Sequence, residues 1–396
     1  MSRAPRSASL AVEVVSRGDQ MLRLAPVWNE LCERSGVSHP FLTHEWVGTW
    51  WECFGGEGEG SELRVLVVRD RDSTPLGLVP LVADGARMYG LGLARLGFPW
   101  NSHTPRFGLL VAERHEEVCR ALWEHLRGGD DDWDLLRLCQ LPEGTFASRR
   151  LAELAAAEGF LVGRWTSSGS PYVPIHGTWG DYLAGLGRKH RATIRNRCRR
   201  LAEGGAVELE TLDGAGESPE DLARLDRALE EGFRLEAAAW KGAAGTAILS
   251  RPETREFYRR LARPAARRGW LRLHFLTVGG RRIAFHYSLL HGGTLYALKG
   301  GYDPAFARFS PGLVLYSLIL RQAFDDGLSG LDFLGDEEPW KLHWTHRTRA
   351  HHWLFVFRPS VRTRLVHLLK FGLAPRGRRR ADDRGVLAVR SAESAP

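Results

Sequence analysis

Between Leu271 and Tyr302 the chain reads as three strands separated by turns of two or three residues, each containing a pair of glycines. The runs Leu271–Val278, Arg282–His291 and Thr294–Tyr302 carry aliphatic, β-branched and aromatic residues, and the turns are Gly279-Gly280 and Gly292-Gly293. Tight hairpins need positive φ at their central positions, which glycine adopts without steric cost. The region is therefore expected to be an antiparallel meander, followed by a helix over Pro311–Asp326 and a strand over Gly330–Leu334.

A fainter copy lies upstream. LRVLVVRDRDSTPLGLVPLV, from Leu63, resembles LRLHFLTVGGRRIAFHYSLL, from Leu271: strand, polar turn, strand, with a small residue (Gly77, Ala284) just inside the second strand. Both follow helical pairs and precede further strands and a helix. Any two hairpins look somewhat alike, but the shared surroundings favour a duplicated domain. The expected organisation is an N-terminal domain over 1–175, a C-terminal domain over 176–360 carrying the active site, and a basic helix with a disordered tail over 361–396. Other expected elements are helices at Met21–Ser35, Glu45–Phe54 and Trp179–Glu203, and strands at Leu161–Trp165, Tyr172–Ile175 and His352–Phe357. Ser218-Pro219-Glu220-Asp221 opens a helix running to about Ala239.

With 43% apolar and 26% charged residues, a chain of 396 residues can bury a large core without metal or disulfide support. The five cysteines are scattered with no C-x-x-C pair, as expected of reduced thiols in the cytoplasm. The N-terminal MSRAPRSASLAVEVVS lacks the apolar run of a signal peptide, and no stretch approaches the ~18 apolar residues of a membrane span. The net charge of +8 is concentrated in Arg188–Arg200 and in the tail, which points to an anionic partner: a phosphate-bearing cofactor, nucleic acid or a lipid surface. RKHRATIRNRCRR holds seven Lys/Arg that would form a basic helix face, suited to phosphate or to peripheral contact with an anionic membrane. Nucleic acid fits less well, because no aromatics are interleaved and no helix-turn-helix or zinc pattern appears. Without G-x-x-x-x-G-K-[ST] or G-x-S-x-G the chain is not expected to be a P-loop NTPase or an α/β-hydrolase. His343, His346, His351 and His352 lack metal-ligand spacing, and no metal is expected.

Four segments carry a resemblance: Gly301-Tyr302-Asp303-Pro304, Ser310-Pro311-Gly312 opening a helix, Leu331-Asp332-Phe333, and Trp340-Lys341-Leu342-His343-Trp344. With Phe41-Leu42-Thr43-His44-Glu45-Trp46 and EAAAWKG (Glu236–Gly242), their order resembles the CelD/BcsL-type family of the GCN5-related N-acetyltransferase (GNAT) superfamily. That family is linked to bacterial exopolysaccharide and cellulose biosynthesis and is similar to Fem-type peptidoglycan bridge transferases. The resemblance covers most of residues 10–360. It implies an α/β (α+β) fold of two tandem GNAT-like domains, each a mixed, mostly antiparallel sheet flanked by helices. It further implies transfer of an acetyl or acyl group from acetyl-CoA or another acyl-CoA to an amine or hydroxyl, on a small-molecule or glycan acceptor. Fem-type relatives imply an aminoacyl-tRNA donor instead. A third reading is a non-catalytic accessory protein of a polysaccharide synthase.

Each site residue has two readings. Ser310 suits an N-cap, Pro311 the first helical position, and Gly312 and Leu313 follow, so free N–H groups and the helix dipole could cradle a diphosphate, with Arg308 at hand; the same residues also make a plain helix start. Pro311 removes one donor, and only one of the spaced small residues usual in acetyltransferases is present. Asp332, mid-strand, is a general base or substrate anchor, or one half of an ion pair. Lys341 holds a phosphate as a point charge or is a surface lysine beside tryptophans. Tyr302 and Asp303 end the third meander strand, where the fold implied by the resemblance opens, although Asp303 before Pro304 is also an ordinary turn. Glu236, Trp240 and Lys241, at a helix end, would line the acceptor site by the same resemblance, or are simply a helix end with a packed tryptophan. His286, inside a strand, reads as a satisfied core histidine.

Overall fold

A computed structural model describes residues 10–55, 60–129, 132–167, 169–214, 216, 218–238 and 245–373. The chain divides into two units. The first takes the segments ending at Val37, running from Gly55 to Ser168 and resuming at Ala350; the second takes Ser38–Phe54 and Gly169–Arg349.

The first unit is built on a sheet of β1 (Ala11–Val15), β2 (Glu62–Arg69), β3 (Pro75–Met88), β4 (Leu91–Gly97), β5 (Leu110–Val111), β6 (Leu135–Pro142), β7 (Leu161–Thr166) and β15 (His351–Phe357). Their order is β1-β2-β3-β4-β6-β15-β7, with β5 beside β3. Neighbours are antiparallel except β4 and β6, which run parallel over Arg95–Gly97 and Leu135–Arg137. A parallel pair needs a long crossover, and helix α4 (His115–Gly128) lies within it. Helix α5 (Phe146–Ala157) packs beside α4, and Leu66, Leu122, Leu136 and Leu151 meet between helices and sheet. The expected helix Met21–Ser35 is two, α1 (Gly18–Arg23) and α2 (Ala25–Arg34), because Pro26 cannot donate into a continuous ladder.

The second sheet repeats that plan. Its strands are β8 (Ser170–Pro174), β9 (Val207–Leu212), β10 (Leu271–Val278), β11 (Arg281–His291), β12 (Thr294–Tyr302), β13 (Gly330–Asp332) and β14 (Thr348–Arg349), in the order β14-β8-β13-β12-β11-β10-β9. The meander β10-β11-β12 is antiparallel, and the step to β13 is parallel. Both faces of the meander are covered. Leu276, Ile283, Leu295 and Leu331 share a core with Val314, Leu315, Ile319 and Leu320 of α10 (Pro311–Asp325). Phe285 and Tyr287 face α8 (Pro219–Ala237) and α9 (Pro252–Arg267): Tyr287 meets Tyr258 edge-on at 5.4 Å, and a Cβ on Gly232 would sit 2.3 Å from the Phe285 ring. Gly232 thus sets how closely α8 approaches the sheet. Helix α3 (His44–Phe54) packs on α9 through Trp46 against Phe257. The expected helix Trp179–Glu203 breaks at Leu186-Gly187 into α6 (Trp179–Gly185) and α7 (Arg188–Ala202).

Both sheets are mixed and mostly antiparallel, and both are flanked by helices. The single division near residue 176 expected from sequence differs from the observed units. In each sheet the strand next to the parallel one comes from the other half of the chain: β15 pairs with β6, and β8 pairs with β13. The strand expected to close the N-terminal domain, Tyr172–Ile175, thereby belongs to the second sheet, and His352–Phe357 to the first. The expected tail from residue 374 onward lies outside the described residues; the helix before it is α12 (Val361–His367).

Candidate functional site

β12 and β13 are paired for only three residues, Thr294–Tyr296 against Gly330–Asp332. β12 then runs on to Tyr302, while the chain leaves β13 through Leu334 and Gly335, both with positive φ. A β-bulge at Leu298, where the register with β11 shifts between Tyr287 and Ser288, bends β12 at the same level. The two strands therefore part, and helix α10 starts after the end of β12. A parting of this kind leaves room for an extended, amide-bearing ligand along a strand.

Two glycines shape the β12 side. A Cβ on Gly301 would lie 2.4 Å from the Glu236 Cα, so α8 rests directly on the strand. A Cβ on Gly300 would meet the His286 ring at 2.7 Å. His286 is buried and both ring nitrogens are engaged, Nδ1 with Ser288 Oγ at 2.9 Å and Nε2 with Tyr316 Oη at 2.6 Å. Tyr316 comes from α10; its ring packs on Phe333 (5.3 Å) and Trp340 (5.1 Å). Burial pushes the Tyr316 hydroxyl well above its ordinary pKa, so it stays protonated. This Ser288–His286–Tyr316 chain was not anticipated. Its sequence signal is the pair His286 and Ser288, two apart on one strand and hence on one face.

The start of α10 differs from the cradle expected of Ser310, Pro311, Gly312 and Leu313. Ser310 sits in the left-handed region (φ 52°) and makes no side-chain cap. Its carbonyl instead accepts from the N–H groups of Leu313 (3.0 Å) and Val314 (3.3 Å), and Pro311 has no N–H, which leaves Gly312 as the donor of that turn. Space above Gly312 is open, its nearest neighbour being Tyr302 Cδ1 at 4.0 Å. Positive charge comes from side chains. Arg308 and Arg200 lie 4.6 and 5.6 Å from the Phe309 ring, and Arg197 donates to the Arg308 carbonyl at 2.7 Å. Arg197 and Arg200 belong to α7, so the basic run flagged in the sequence flanks this turn. Among the described residues none of the seven Lys/Arg of α7 has a carboxylate partner, whereas most arginines elsewhere do.

The remaining expected residues take up holding positions. Asp332 is 0% exposed; its Oδ1 accepts from the Leu334 N–H (3.0 Å) and its Oδ2 lies 3.4 Å from Arg349 Nε, whose guanidinium stacks over Tyr172. Lys341 is buried, and its ammonium reaches the carbonyls of Leu334 (2.8 Å) and Asp336 (3.0 Å) and the Glu338 carboxylate (2.9 Å). With three protons and three acceptors, it clamps the loop after β13 and has no proton left for a phosphate. Asp303 accepts from the Ala305 N–H and pairs with Arg281, the turn reading of Asp-Pro. Glu236 is fully buried behind Gly301 and its Oε2 accepts from the Ile248 N–H at 2.8 Å. Trp240 and Lys241 lie outside the described residues. Of the histidines near the C-terminus, His351 and His352 contact Arg106 and Arg164 in the first unit, while His343 stacks on His190 in the second.

Residues 188–342 match the family model described as "Acetyltransferase (GNAT) domain". This part of the chain is GNAT-like. Among solved structures, FemX superposes with a TM-score of 0.55 at 12% identity, covering 91% of this chain and 99% of that one. A conserved protein from Bacteroides thetaiotaomicron gives 0.50 at 11% identity, covering 87% of this chain and 100% of that one. The C-terminal domain of a putative lysylphosphatidylglycerol synthetase from Agrobacterium fabrum gives 0.50 at 9%, covering 88% and 95%. At these identities the likeness is one of fold. No curated protein matches the chain significantly.

Proposed function

We propose that the second unit transfers an acyl group from acetyl-CoA or another acyl-CoA to an amine or hydroxyl of a sugar, lipid-linked or secondary-metabolite acceptor. Exopolysaccharide biosynthesis in the cytoplasm, as in the CelD/BcsL-type proteins the sequence resembles, is the setting this reading favours. The observation that carries it is the parting of β12 from β13 beside the Ser288–His286–Tyr316 chain.

The donor's phosphates would lie at Gly312 N–H, Arg308, Arg197 and Arg200, with its acyl-bearing arm along β12. With the His286 Nδ1–H directed to Ser288, Nε2 is the acceptor for the Tyr316 hydroxyl. As the acceptor nucleophile adds to the thioester carbonyl, its proton passes to Tyr316 Oη and the tyrosine proton passes to His286 Nε2. The C–S bond then breaks, and the proton held on His286 returns through Tyr316 Oη to the departing thiolate, which leaves as the free thiol with the relay neutral again. A tyrosine kept neutral by burial suits a relay rather than a tyrosinate base. Asp332 and Lys341 hold the Leu334–Glu338 loop, and with it Trp340 against Tyr316. Acyl-CoA should raise the melting temperature through linkage. Tyr316→Phe should keep that shift while losing about 100-fold in turnover, the scale of a proton-transfer group. The absence of both a shift and thiol release with every acyl-CoA tried would overturn the reading.

The uncompensated cations of α7 favour one alternative, an aminoacyl-tRNA donor of the Fem kind. Turnover abolished by ribonuclease would select it; turnover with acyl-CoA alone would eliminate it.

A further inference from the structure

Helix α12 carries apolar side chains on two sides, and those on one side are unused. A capping box between Ser360 and Thr363 starts the helix, and its last turn continues through Leu368–Leu373. The inward face is fully engaged. Thr363, Val366 and Lys370 are buried, the Phe371 ring meets Phe355 at 5.5 Å, and the Lys370 ammonium lies 4.0 Å from the Trp165 ring centre. The outward face carries Val361 (89% exposed), Leu365 (48%), Leu368 (50%) and Leu373 (65%). The first three are spaced i, i+4, i+7, one stripe of a helix. Elsewhere among the described residues the large exposed apolar side chains, such as Tyr89, Phe146 and Leu249, are isolated from one another in sequence. An apolar stripe with its helix already anchored on the other side is a surface for a partner, not a misplaced core.

Charge identifies the partner. From Pro359 to Ala381 the sequence holds seven Lys/Arg and not one Asp or Glu; Lys370 is buried and Arg362 pairs with Asp134, which leaves Arg364, Arg376, Arg378, Arg379 and Arg380 as the cations for a partner. Exposed leucines flanked by arginine, with a basic run continuing beyond, match the interfacial helices that lie in the plane of an anionic bilayer. We propose that the outward face of α12 docks this protein on an anionic lipid surface, with Leu365, Leu368 and Leu373 entering the headgroup–acyl boundary and the basic run after Leu373 meeting lipid phosphates. A second copy of the chain would cover the leucines but would repel at the arginines.

The test uses the full-length chain and flotation with vesicles of phosphatidylcholine alone or with added phosphatidylglycerol. Binding is expected on the anionic vesicles, weakening as salt rises. Leu365→Glu with Leu368→Glu should reduce it at least 10-fold, and Arg378→Glu, Arg379→Glu and Arg380→Glu together should remove most of its salt dependence. Circular dichroism of the variants checks that the fold is retained, as expected for outward-facing positions. Failure of the unaltered protein to bind, or equal binding by the double leucine variant, overturns the proposal. So does a dimer in solution that the leucine variant dissociates, which would assign the face to a second copy. None of these residues belongs to the acyl-transfer site, so the two proposals fail independently.

Discussion

Cutting the chain between Ile175 and His176 divides it where the internal repeat suggests a boundary, and the strand pairing predicts that neither piece folds alone. Fragment 1–175 loses β15, which lies between β6 and β7 and pairs with both. All seven residues of β15 are buried, and five of them, Trp353, Leu354, Phe355, Val356 and Phe357, are large apolar side chains. At about 1.5–3 kcal/mol each, their loss removes roughly 8–15 kcal/mol. That equals the whole stability of an ordinary domain, about 5–15 kcal/mol, before counting the ladder hydrogen bonds on either side. An extended-chain reference makes the figure an upper estimate, but half of it suffices. Fragment 176–396 loses β8, whose Val173 sits in the core between β13 and β14. The assay is circular dichroism, thermal unfolding and amide NMR dispersion on each fragment and on the two co-expressed. The expected outcome is two aggregated or unfolded fragments that recover native signals only together. A cooperative transition and dispersed spectrum from 1–175 alone would show that β15 contributes far less than its burial implies.

Two other outcomes follow from buried polar groups. Lys341→Met should destabilise by about 1–3 kcal/mol for each of the Leu334 and Asp336 carbonyls it strips of a donor; urea unfolding measures this, and a neutral result would reassign Lys341 from clamp to bystander. Burial, reinforced by Arg272, lowers the His274 imidazole to about 3 in the folded protein. The unfolded chain binds that proton below about 6.5 and the folded one does not, so the stability is complete above pH 6.5 and is lost as pH falls toward 3. At 1.36 kcal/mol per unit this is about 3 kcal/mol between pH 6.5 and 4, and His274→Leu should flatten that limb of the stability profile; equal slopes would show that other groups dominate.

The fold was legible wherever local chemistry and tertiary structure agree. The glycine pairs marked the turns of the β10-β11-β12 meander, whose strands are then buried in continuous runs because helices cover both faces. β4 escaped notice because LGLARLG has two glycines and no β-branched residue; its strand conformation comes from pairing with β3 and β6, a tertiary cause. The break in the basic helix at Gly187 was equally hidden inside a strong helical pattern. Strand exchange left no trace at all, since Tyr172–Ile175 and His352–Phe357 read as strands whichever sheet accepts them. The site divides along the same line. Ser310, Gly312 and Tyr302 were singled out because a helix start after a strand is a local event. Tyr316 and His286 were not singled out as a pair, because their contact spans 30 residues and depends on α10 lying across the meander. Asp332 and Lys341 stood out through the anomaly of charge among apolar neighbours, and the geometry shows that such an anomaly has two solutions. A buried charge whose bonds are all met within the protein holds a loop; a buried polar chain that ends beside a parted strand can hand a proton outward. Only the completed list of partners separates the two, and that list is a property of the fold.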